Sequence, residues 1–146
     1  MNRSALDAAY RRAHYEVLMP AAVPAGAGGG GVLVLRIDIP CAALLDLHRQ
    51  LEVTESAFIS AWNPHSVACS AVHNAAAHQR LVARVAELGL DSWPGWGRDP
   101  LGEWPAEQSL FVAGLALAVA QRLGAEFSQH ALVHAAADAV PRLLWL

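Results

Sequence analysis

The chain has 146 residues, 55% of them hydrophobic and only 16% charged. That is enough apolar material for one packed core and too little charge for an extended disordered chain. The formal charge is −3 and all ten basic residues are arginines, so the chain offers no general attraction for nucleic acid and has no lysine for a Schiff base, a phosphate loop or a general base.

Two cysteines, Cys41 and Cys69, make no disulfide framework and fit a reducing cytoplasm. Arg3, Asp7, Arg11 and Arg12 precede any apolar run, so the start does not read as a secretory signal. The segment 3–13 reads as a short helix and 14–19 as a strand stopped by Pro20. Residues 20–31, rich in Pro and Gly, read as a flexible loop. A phosphate cradle would need a following lysine and a helix, but a strand over 32–37 comes next.

Leu44, Leu45, Leu47 and Leu51 place a helix over 41–51. Ser56 to Ala61 reads as a buried central strand, stopped by the turn-forming Asn63-Pro64. Ser70 is a candidate cap for a helix over 71–88, where Asn74, His78, Leu81, Val85 and Leu88 share one stripe and Gly89 ends the run. Residues 90–93 begin a strand broken at Pro94-Gly95, and a long loop follows from Gly97 to Gln108. A strand over 109–114, a helix over 115–124 and strands over 130–135 and 140–146 complete the chain. The longest apolar run, 110–120, is far short of the roughly 20 residues that cross a bilayer. The expected fold is α/β (α+β): one domain over 1–146, a single mixed sheet of about six strands, and two or three main helices packed on it.

Three groups of residues can carry chemistry. Asn63, at the carboxyl end of the central strand, either meets a ligand or caps its own turn. Asn74 and His78 lie one helical turn apart on an apolar stripe; they either reach a site or are satisfied internally. The segment 93–109 mixes Trp93, Trp96 and Trp104 with Arg98, Asp99, Glu103 and Glu107, which suits ligand stacking or an interface, or packing of the loop onto the sheet. Glu107 leads straight into an apolar strand and is the candidate general base. The histidines show no ligand spacing for a metal. Ser60, Ser66 and Ser109 lack the nucleophile-elbow pattern. No cofactor motif is present.

The run Ala57-Phe58-Ile59-Ser60-Ala61-Trp62-Asn63-Pro64, then Asn74, His78, Gly89, Pro94-Gly95, Gly102-Glu103-Trp104-Pro105, Glu107, Ser109, Gly114 and Gln129, resembles the uncharacterised bacterial family catalogued as domain of unknown function 3293. The resemblance runs from about Tyr10 to Leu143. Ser60 stands where the family usually has Thr, which keeps a hydroxyl; the glycine run at 28–31 departs from the pattern. The family has no established activity, so the resemblance implies a fold and a set of matching polar positions: Asn63, Asn74, His78, Glu107, Ser109 and Gln129.

These readings lead to one expected site at the edge of the sheet. A nucleotide-like or other polar small molecule would bind there, with Asn63, Asn74, His78, Ser109 and Gln129 as polar contacts. Trp62 and Trp104 would cover it, and Glu107 would act as acceptor or as the base of a hydrolase. The alternative is a non-catalytic interaction module, pairing with a partner or a second copy through the apolar C-terminal strand. The expected setting is cytoplasmic, with no membrane, nucleic acid, metal or cofactor.

Overall fold

The computed structural model describes residues 2–19 and 31–146, so the proposed loop at 20–31 lies, but for Gly31, outside the described residues. The apolar run 56–60 forms the strand β3 (Ser56–Ser60), buried along nearly its whole length. It sits inside a seven-stranded sheet with β1 (His14–Leu18), β2 (Val32–Leu35), β4 (Ser92–Arg98), β5 (Glu107–Ala113), β6 (Ala131–Ala135) and β7 (Pro141–Trp145), in the order β2-β1-β4-β5-β3-β6-β7.

Every neighbouring pair is antiparallel, which corrects the expected mixed sheet of about six strands. The reason lies in two interleaved crossovers. One helix carries the chain from β3 to β4 and another from β5 to β6, but β5 lies between β3 and β4, and β3 lies between β5 and β6. Strands joined by a helix run the same way and never become neighbours. The predicted break at Pro94-Gly95 is also absent. Pro94 lies one residue past the last β1 partner, Val17↔Gly95, so one of its flanks is unpaired, where a strand proline is tolerated.

Among the described residues four α-helices pack on the sheet, rather than two or three: α1 (Arg3–Arg12), α2 (Ala42–Gln50), α3 (Ala71–Glu87) and α4 (Leu117–Glu126). Asn2 caps α1 by accepting from the Ala5 N–H, and Ser70 caps α3 by accepting from that of His73. α4 starts two residues later than predicted, leaving Leu115 buried ahead of it.

Strand alternation sorts the core into two layers. On one face Tyr15, Val17, Leu35, Phe58, Phe111 and Val133 pack with Leu44 and Leu47 of α2. On the other, Ala57, Ile59, Leu110 and Val112 pack with Leu81 and Val85 of α3 and Leu123 of α4. The sheet curls until its margins meet: the Asp38 N–H, just past β2, donates to the Pro141 carbonyl at the start of β7, at 2.7 Å. Gly95 is required by this packing, because a Cβ there would lie 2.5 Å from the Glu16 carbonyl oxygen and 2.7 Å from the Phe58 ring.

Candidate functional site

Antiparallel register brings the ends of several strands to one rim. Ser60 pairs with Ser109, and Gly97 pairs with Glu107. The end of β3, the end of β4 and the start of β5 therefore lie side by side, with the start of β6 next to β3. Below this rim, on the face that also carries α2, a cavity of about 300 Å³ remains unfilled. Its floor is Tyr15, Phe58 and Val133, its rim includes Trp62, Asn63, Trp104 and Glu107, and its roof is α1. Most of its strand residues stand near strand ends, and the margin strand β7 contributes Leu143.

The loop after β3 builds the polar end of the cavity. Asn63 adopts a left-handed conformation (φ 46°), followed within three residues by His65 (φ 54°) and Ser66 (φ 58°). Asparagine and histidine tolerate this region better than serine does. Asn74 fixes the start of the turn. Its side-chain carbonyl accepts from the Asn63 backbone N–H at 2.9 Å, and its amide donates to the Asn63 side-chain oxygen at 2.8 Å. That same oxygen also accepts from the Cys69 backbone N–H at 3.1 Å. Backbone N–H groups can only donate, so both amide orientations are fixed. The Asn63 side-chain N–H is thereby aimed at Glu107 Oε1, at 3.1 Å.

Glu107 is mostly removed from water. Burial pushes its pKa above the usual carboxylate range, and the hydrogen bond from Asn63 pulls back against that shift. Its second oxygen has no hydrogen-bond partner among the described residues. The two nearby serines are committed elsewhere. Ser60 donates to the Gln108 carbonyl and accepts from the Trp62 N–H, while Ser109 donates to the Glu107 carbonyl. Neither hydroxyl is set up as a nucleophile. Gln129 donates to the carbonyls of Trp62 and Phe127, tying the β3 loop to the start of β6.

Of the eight residues expected at the site, Trp62, Asn63, Trp104, Glu107, Ser109 and Gln129 line this cavity, and Asn74 and His78 do not. Asn74 stands behind Asn63 and holds it in place. His78 lies farther along α3, 4% exposed. Its Nδ1 has no partner among the described residues, and burial holds its pKa below the normal value. The same stripe that carries both residues turns them toward the opposite layer with Leu81 and Val85. Of its two sequence readings, the geometry answers to the second: Asn63 holds its own turn, and its amide also positions Glu107.

The roof was missed in the sequence. Leu6, Ala9, Tyr10 and Ala13 face the cavity, at the i, i+3, i+4, i+7 spacing of one helical face. The surrounding arginines mask that short stripe. Polar contacts hold α1 down. Arg12 makes a two-pronged contact with Asp99, at 3.0 and 3.2 Å, and also reaches Glu103. Its guanidinium lies 5.0 Å from the centre of the Trp104 ring. At the other end Asp7 accepts from the Trp145 indole N–H at 3.1 Å. These pairings leave Glu107 as the lone carboxylate in the lining, so the two-carboxylate arrangement of glycoside hydrolysis is not formed here.

A second hollow, of about 360 Å³, lies between α3 and α4 on the opposite side. Its Arg84 is paired with Glu87 and Glu126, so its charges largely answer one another. No helix is long and apolar enough to cross a membrane among the described residues.

No curated protein and no solved structure matches the chain. Residues 59–132, which include all eight expected site positions but neither the roof α1 nor the floor residues Tyr15 and Phe58, match the family model described as "Protein of unknown function (DUF3293)", and the chain belongs to that family.

Proposed function

We propose that this domain binds a small organic molecule in the cavity beneath α1, with Glu107 as its polar anchor. The observation that carries this reading is the state of Glu107. One carboxylate oxygen is fixed by Asn63, and the other has no partner among the described residues beside an apolar cavity. That oxygen keeps some solvent access, so it is free to accept from water or from a donor on a ligand. Tyr10, Trp62 and Trp104 supply broad rigid surfaces for the body of the molecule. Asn63, Asn74 and Gln129 are positioning residues in this reading.

Hydrolysis is the chemistry this group favours. A carboxylate with a raised pKa suits a general base that activates water. The interaction-module alternative rests on β7 as a margin strand. It loses ground because Asp38 occupies the Pro141 carbonyl and α1 holds Trp145 through Asp7, Tyr10 and Arg3.

A thermal-shift screen of small polar and aromatic metabolites against the parent and Glu107→Ala tests the proposal. A ligand at 100 times its Kd stabilises by about 2.7 kcal/mol. The shift is expected in the parent and should shrink in the variant. A hit that persists unchanged in Glu107→Ala places binding elsewhere.

A further inference from the structure

Resting on that reading of the cavity, we infer that its ligand is an organic ammonium: an amine with an apolar or aromatic body, whose N–H donors meet Glu107. The charge inventory of the lining leads here. Two side chains of the lining carry formal charge, Glu107 and Arg98. Arg98 pairs through its Nε with Glu16, at 2.9 Å, so a phosphate or carboxylate on the ligand would share its one cation with Glu16 and would meet Glu107 as a like charge. A nucleotide is therefore disfavoured by the same cavity that suits its base.

A cation has the opposite experience. The free oxygen of Glu107 is a pure acceptor when ionised, and an ammonium brings only donors. Ammonium also benefits from aromatic faces, and Tyr10, Tyr15, Phe58, Trp62 and Trp104 all border the cavity. Alanine, leucine and valine complete the apolar part of the wall, and of its polar side chains Ser60, Ser109 and Gln129 already donate to backbone carbonyls, which favours an apolar body over a polyamine or a sugar. Since Asn63 donates to one carboxylate oxygen, one strong contact is available, which fits one ammonium group rather than two.

The matched probes are 2-phenylethylamine, 2-phenylethanol and phenylacetate, which share a body and differ in charge. Calorimetry on the parent should rank the amine at least about tenfold tighter than the alcohol, the difference between a charge-assisted and a neutral hydrogen bond. Phenylacetate should bind weakest. In Glu107→Gln, which keeps shape and an acceptor for Asn63, the advantage of the amine should disappear, and thermal unfolding confirms that the variant is folded. Equal binding of amine and alcohol, or an advantage that survives in Glu107→Gln, overturns the ammonium inference and leaves the cavity as a binding site. Failure of all three probes to bind the parent overturns the cavity reading itself.

Discussion

The two helices on the enclosed face of the sheet do opposite things. α2 drives Leu44 and Leu47 into the layer until neither retains any exposure. α1 buries only Ala9 and is held by its rim, through Arg11 to Asp38, Arg12 to Asp99 and Glu103, and Asp7 to Trp145. Both helices rest on the same antiparallel sheet. Under α2 the space is filled and the region is core; under α1 it is left open, and the polar groups that could have been excluded are gathered at one end. A site here is an unfinished piece of core, roofed by a helix whose attachments are charged rather than apolar.

Truncating a leucine under each helix tests that contrast most strongly. Leu47→Ala should cost about 2–5 kcal/mol in denaturant unfolding, the range for emptying a well-packed position. Leu6→Ala, which only enlarges a space already open, should cost less than about 1.5 kcal/mol by the lost transfer term alone. Similar losses at the two positions would mean that the cavity wall is as tightly packed as the core.

Removing the support of the rim should come next in size. Asn63→Ala strips partners from Asn74, which is 2% exposed, and places a Cβ-bearing residue without a compensating side chain at φ 46°. An orphaned buried polar group and a left-handed alanine together predict a loss of about 2–4 kcal/mol. Amide exchange should accelerate across 63–70 before it changes in α2. A variant as stable as the parent would show that the network around Asn63 is replaceable by water.

The smallest effect concerns the charge itself. Burial raises the pKa of Glu107 in the folded state above its unfolded value. The penalty for the ionised form is therefore absent in acid, grows as pH rises through the unfolded pKa, and levels off above the folded one. Glu107→Gln should gain Tm relative to the parent as pH rises from acid to neutral. Tyr10 and Tyr15, the other titrating groups facing the cavity, are pushed upward by burial and stay neutral over this range. Arg98 is held by Glu16. A variant whose relative stability is flat with pH, or falls, would show that Glu107 is effectively solvated.

Much of this was legible in the chain alone. Alternation and turn residues placed β3, β5 and β6, helical spacing placed α2 and α3, and the polar residues at Asn63 and Glu107 stood at strand ends. What local pattern could not express was which strand ends meet. Asn63 and Glu107 are 44 residues apart, and only the passage of β5 between β3 and β4 makes them hydrogen-bond partners. The faces of α3 and α1 were undecided for the same reason. A stripe says that one side of a helix is buried, not against which layer, so His78 went to one core while the modest stripe of Leu6, Ala9, Tyr10 and Ala13 became the roof of the other. Sequence determined the elements because their periods are local properties of the backbone. Tertiary structure decided the site, because antiparallel register and interleaved crossovers are long-range and carry no signature within any one segment.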